Sequence, residues 1–127
     1  MKALREFAAR GGLIGTGEDA GFIYRIHGFG YLRELELQQE AGFPPLKVIQ
    51  HATYNGARIL GMEDRIGRVR AGWLADLVVV KGNPLANLKI RYPHQGAIEW
   101  TIKDGKPYNA ATLAADVRRM VAEASGR

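Results

Sequence analysis

LIGTGEDAG, residues 13–21, decides how the rest of the chain is read. Leu13-Ile14 is a short apolar run bounded by glycines, which predicts a strand buried on both faces, as in a parallel sheet. It leads into two adjacent carboxylates, Glu18 and Asp19, set among Gly15, Gly17 and Gly21. Such a strand needs neighbours on both edges, and the first 60 residues offer none. The pair of acids either closes a turn or serves a site at the strand's end.

Upstream, residues 2–10 predict a helix with Leu4, Phe7 and Ala8 on one face and Gly11-Gly12 as its stop. Downstream comes a Gly- and aromatic-rich loop, DAGFIYRIHGFGY, then a short helix from about Leu32 to Ala41 ending at Gly42. Pro45 suits the first turn of the next helix, where its missing N–H costs nothing. There Leu46, Ile49, Ala52, Thr53, Gly56, Ala57 and Leu60 share an apolar face. Lys47, Gln50, His51, Tyr54 and Arg58 lie opposite, and Gly61 ends the helix. A strand follows from Ala75 to Lys81, closed by Gly82-Asn83-Pro84. Ile98, Trp100 and Ile102 alternate up to Asp104-Gly105, a hairpin signal. Asn109 caps a last helix expected to bury Leu113, Val117, Met120 and Val121. Such an order reads as the end of a larger architecture.

The 127 residues are 46% hydrophobic and 24% charged, which excludes a disordered chain. No apolar run is long enough for a membrane span. With no cysteine, disulfides and thiolate metal sites are excluded, and a cytoplasmic setting is expected. The net charge of +5 raises the question of nucleic acid. The basic residues are scattered, however, and the densest cluster, Arg65, Arg68 and Arg70, contains no aromatic residue. Solvated surface charge is the better reading, so neither nucleic acid nor membrane is expected as a partner.

From about Gly12 to Lys106 the chain resembles the carboxyl-terminal third of metal-dependent amidohydrolases, especially imidazolonepropionase-like and prolidase-like members. The matching pieces are GEDAG (17–21), HGFGYLRELELQQEAGFPPLKVIQHATYNGARILGM (27–62), IGRVRAGWLADLVVVKGNPL (66–85) and TIKDGKPY (101–108). Each is weak alone; their order and spacing carry the resemblance. It implies an α/β chain: the end of a (β/α)8 TIM-type barrel plus the last strands of a small β-sandwich. Leu13–Gly17 would be the eighth barrel strand, residues 2–10 the helix before it and residues 32–60 the helices after it. The implied division is 1–62 barrel end, 63–108 sandwich strands and 109–127 terminal helix. The orphan strand would then lack strands one to seven.

Active sites of such barrels lie at the carboxyl ends of the strands. The resemblance implies that Asp19 stands there as a metal ligand and as general base and acid. A bound divalent metal, zinc by expectation, would polarise the scissile carbonyl and lower the pKa of a water. Asp19 would take the water's proton and pass it to the leaving group. The family's usual Gly-Thr-Asp-Ala-Gly has Glu18 here in place of threonine. Strand alternation points Glu18 away from Asp19, as a supporting or salt-bridged residue.

His27 and Arg25 are candidate substrate contacts in the loop after the strand. Arg25 could hold a carboxylate bidentately, and Tyr24 shares the loop. A purely structural His27 is an equal alternative. His51 reads as solvated, His94 as a loop residue, and Asp76 as structural, opening a strand far from the barrel mouth.

The family's remaining metal ligands, mostly histidines, are absent, and one carboxylate cannot hold a catalytic zinc. The expectation is a truncated gene product, an excised portion or one part of a split enzyme. It would be inactive alone and completed by a missing amino-terminal barrel portion or by other subunits. Its substrate would be a small amide, cyclic amide or dipeptide. One alternative is a non-catalytic remnant that forms a homo-oligomer; another is a small basic binding protein. With its barrel neighbours missing, residues 1–60 are also expected to be less stable than residues 75–105.

Overall fold

The computed structural model describes residues 2–23, 27–88 and 96–126. Helix α1, Lys2–Ala9, ends where the Gly12 N–H bonds the Phe7 carbonyl at 2.9 Å. The following backbone is irregular, and the strand expected at Leu13–Gly17 is not formed. The physical reason is simple: a strand is defined by its ladder. The three strands among the described residues pair only with one another.

Helix α2 is Gly30–Glu40, starting two residues before the expected Leu32. Helix α3, Pro45–Gln50, a π-helical turn, His51–Asn55, and α4, Gly56–Ile59, form one continuous run. Pro45 occupies the first turn, as its fixed φ favours. Both runs end in the same way. At Gly42 (φ 94°) the Phe43 N–H bonds the Gln38 carbonyl and the Gly42 N–H bonds that of Gln39. At Gly61 (φ 66°) Met62 and Gly61 bond Ala57 and Arg58 in the same pattern. These left-handed residues satisfy carbonyls that the helix leaves open.

The core lies in this helical layer. Leu32, Leu35 and Val48 are buried together with Leu88, and Tyr31, Phe43, Ile49 and Ala52 pack against them. The buried side of residues 45–59 is the expected one only in part: Ile49 and Ala52 pack on the core and Ala57 is buried as expected. Val48, His51, Asn55 and Ala57 are inside, whereas Leu46 and Leu60 are 65% and 69% exposed. Burial follows the position of α2, against which α3 packs. His51, read as solvated, is therefore a buried residue. The largest fully buried side chains among the described residues, Leu35, Gln38 and Val48, lie within residues 1–60, the part expected to be the less stable.

The remainder is an antiparallel sheet in the order β1-β2-β3, with β1 at Leu77–Val80, β2 at Ile98–Lys103 and β3 at Lys106–Asn109. Leu77 faces Ile102 and Val79 faces Trp100, with a bulge before Val80. Asp104 and Gly105 close the β2–β3 hairpin with φ of 51° and 77°. Two positive φ values mark the turn that matches the strands' right-handed twist. Asp76 braces the same corner: it accepts Lys103 Nζ at 2.6 Å and the Asp104 N–H at 2.7 Å.

Helix α5, Ala110–Ala124, is capped by the Asn109 Oδ1, which accepts the Thr112 N–H at 3.1 Å. Its apolar stripe is not buried as expected. Leu113, Val117, Met120 and Val121 are 49–60% exposed. The helix leans on β2 and β3, which are too small to cover that stripe. No helix among the described residues is long and apolar enough to cross a membrane.

Candidate active-site segment and its helical support

Residues 13–19 reach their position without a ladder. Side-chain amides from the two helical runs take the place of strand partners. Asn55 Nδ2 donates to the Ile14 carbonyl at 2.7 Å, and Gln38 Nε2 donates to the Gly15 carbonyl at 3.2 Å. Gln38 Nε2 also donates to Glu34 Oε1 at 3.2 Å, and Gln38 Oε1 lies 2.8 Å from His51 Nδ1. Gln50 Nε2 reaches Asn55 Oδ1 at 3.4 Å. Gln38, His51 and Asn55 are all buried, so their polar atoms need these partners.

His51 is further fixed by an edge-on contact with Phe43, the ring centroids 5.0 Å apart. Burial lowers its pKa from the ordinary histidine value, and the charge of Lys47 adds to this. The imidazole is thereby favoured in its neutral form.

At the far end of the segment the two acids diverge. Asp19 is exposed and sits in the left-handed region with φ 49°. Its carbonyl accepts the Phe22 N–H at 3.2 Å, closing a turn. Among the described residues its carboxylate has no ion pair or hydrogen-bond partner. Glu18 turns towards α2. Its Oε2 is buried against Gly30, with no hydrogen-bond partner among the described residues. A side chain at Gly30 would overlap this oxygen, so the close approach depends on glycine.

His27 is exposed, and its Nε2 lies 3.3 Å from where a Gly21 Cβ would be. It therefore borders the turn that begins at Asp19. Arg25, Tyr24 and His94 lie outside the described residues. Arg68 and Arg70, singled out as a cluster without aromatics, do meet aromatic faces. The Arg68 guanidinium stands 3.5 Å from the Tyr54 ring centroid and that of Arg70 5.6 Å from Trp73.

Among the described residues, no three His, Asp or Glu side chains converge as a metal site needs. A catalytic zinc takes three protein ligands, so Asp19 and its surroundings do not fit a metal unaided.

Sequence reasoning missed Gln38, His51 and Asn55. One signal was available: Gln38 continues the stripe of Leu32 and Leu35 at intervals of three residues. Val48, His51 and Asn55 also follow at intervals of three and four, an ordinary helical face, but its two polar members read as a solvent side.

Known proteins of similar sequence and structure place this geometry in context. The chain is similar to two 5-methylthioadenosine/S-adenosylhomocysteine deaminases from Desulfitobacterium hafniense strains, at 28% identity over 96% of its length. It is similar in structure to a Xaa-Pro dipeptidase crystallised with methionine in its active site, at 36% identity and a TM-score of 0.73 over 84% of the chain. A putative prolidase from Bifidobacterium longum matches over 82%, at 33% identity and the same TM-score. The chain spans 32% of the deaminases and 25% of each of these two structures. A model of the amidohydrolase family matches residues 1–109, and the chain belongs to that family.

Proposed function

We propose that the chain is the carboxyl-terminal segment of a hydrolase acting on a carbon–nitrogen bond, with Asp19 as its proton carrier. The observation that carries this reading is the placement of Asp19. Its carboxylate is exposed and unpartnered among the described residues, at the tip of a segment held by buried amides. Asp19 takes a proton from the attacking water as the carbon–oxygen bond forms. It returns that proton to the nitrogen as the carbon–nitrogen bond breaks, so the carboxylate is regenerated. The deaminase and dipeptidase relatives share this bond change, which supports the reaction class. A bound divalent metal would supply carbonyl polarisation, and its main ligands would come from outside this chain. The substrate class is a small amide, cyclic amide or dipeptide, bordered by His27.

The test is a chimera. Residues 1–109 replace the matching segment of the Xaa-Pro dipeptidase relative, and dipeptide hydrolysis is assayed. Turnover by the chimera supports the reading. A folded, metal-loaded chimera without turnover contradicts it.

The open apolar stripe of α5 favours a second reading, a non-catalytic module that assembles. A defined oligomer, with an inert chimera, would support that reading instead.

A further inference from the structure

We propose that Gln38, His51 and Asn55 are positioning residues that clamp residues 14–15 in place of strand pairing and thereby aim Asp19. Its catalytic consequence rests on the reading of Asp19 above; the clamp itself does not.

The argument starts from donors and acceptors. A carbonyl accepts and cannot donate. The Ile14 and Gly15 carbonyls therefore need donors, and with no ladder their donors are Asn55 Nδ2 and Gln38 Nε2. The Gln38 amide group has two hydrogens, and two acceptors stand before it, the Gly15 carbonyl and Glu34 Oε1. Turning that amide over would set its oxygen against both of those oxygens. Gln38 Oε1 must therefore face His51, and His51 must carry its proton on Nδ1. That tautomer locks Gln38, and Gln38 locks Gly15. His51 thus acts on residue 15 through one intermediary without touching it.

The Ile14 and Gly15 carbonyls are held by donors from two different helical runs, so the pair of bonds fixes the segment's rotation as well as its position. Four residues on, that rotation is what turns Glu18 towards α2 and leaves Asp19 outward. The clamping residues come from the hydrogen-bonded helices around Leu35 and Val48, the most buried part of the molecule. The segment is thus anchored to rigid structure and not to another loop.

Two isosteric variants test the clamp in the full chain by NMR. Asn55→Asp and Gln38→Glu keep side-chain shape and remove the donor to Ile14 or Gly15. Backbone 15N order parameters at residues 15–19 are expected to fall, because one of the two anchoring hydrogen bonds is lost. The positive φ of Asp19, read from its Cα–Hα coupling and intraresidue NOE, is expected to average out. Shifts of β2, β3 and α5 should stay unchanged. Unaltered order parameters and an unaltered Asp19 φ in both variants would overturn the proposal. Should either variant fail to fold, the ring 15N shifts of His51 in the unmodified chain decide. A protonated Nδ1 with a bare Nε2 supports the clamp, and the reverse tautomer overturns it. Turnover that survives Asp19→Asn would defeat the functional reading and leave these results standing.

Discussion

Glu18 buries its Oε2 against Gly30, the first residue of α2, and finds no hydrogen-bond partner there among the described residues. The positive end of the helix favours a carboxylate by about 0.3–1 kcal/mol. Leaving a buried acceptor unpaired costs about 1–3 kcal/mol, so the cost is the larger effect. Glu18→Thr, which removes the carboxylate, is expected to stabilise the chain by about 1 kcal/mol, a rise in Tm of roughly 3–6 °C. Thermal denaturation checks this, and a lower Tm would contradict it.

His51 sets a pH dependence of stability. Its folded pKa lies below the ordinary value of 6.5, through burial first and Lys47 second. The unfolded chain therefore binds more protons as pH falls below about 6.5. The His51 contribution is complete above that pH and is lost as pH drops through the folded value. Denaturation midpoints are expected to fall as pH drops below about 6.5, and less steeply in His51→Gln. A second loss follows at lower pH. The Lys103 ammonium, then the Asp104 N–H, hold the Asp76 carboxyl below its usual 3.8. That contribution is present above 3.8 and disappears as Asp76 protonates.

The helices Gly30–Glu40 and Pro45–Gln50 are expected to hold the slowest-exchanging amides, because Leu35 and Val48 are fully buried between them. Leu35→Ala should cost about 2–5 kcal/mol, the range for a large side chain deleted from a core. Val78→Ala, on the exposed side of β1, should stay within about 0.5 kcal/mol. Hydrogen exchange and chemical denaturation of the two variants measure this contrast. Equal losses would mean that the core lies elsewhere.

Much of the framework is legible in the sequence because local chemistry decides it. Pro45 starts its helix, Gly42 and Gly61 end theirs, and Asn109 caps α5, since each acts on backbone groups a few residues away. Asp104-Gly105 makes its hairpin for the same reason. What is not legible depends on neighbours. The run Leu13–Gly17 has a strand's composition, yet pairing needs partners that the described residues do not supply. The stripe of Leu113, Val117, Met120 and Val121 reads as a core face, but only an adjacent layer can bury it. His51 and Asn55 share a regular helical face with Val48, but as polar residues they read as the solvent side until α2 is seen to cover them. Asp19 stands out in the sequence through its motif; the amides that hold its segment carry none.

If the stripe on α5 stays open in solution, Met120→Glu should leave stability and mass unchanged. Light scattering checks this. A change from a defined oligomer to a monomer in Met120→Glu would instead show that the stripe is covered by assembly.

The most direct test of the central claim is kcat for Asp19→Asn in the chimera carrying residues 1–109. The carboxamide keeps the size of the side chain and cannot accept the proton. The account predicts a fall in kcat of about 10²–10⁴-fold, the scale of lost general acid–base catalysis, with KM and Tm essentially unchanged. Retention of wild-type kcat would contradict the role of Asp19 and with it the proposed function.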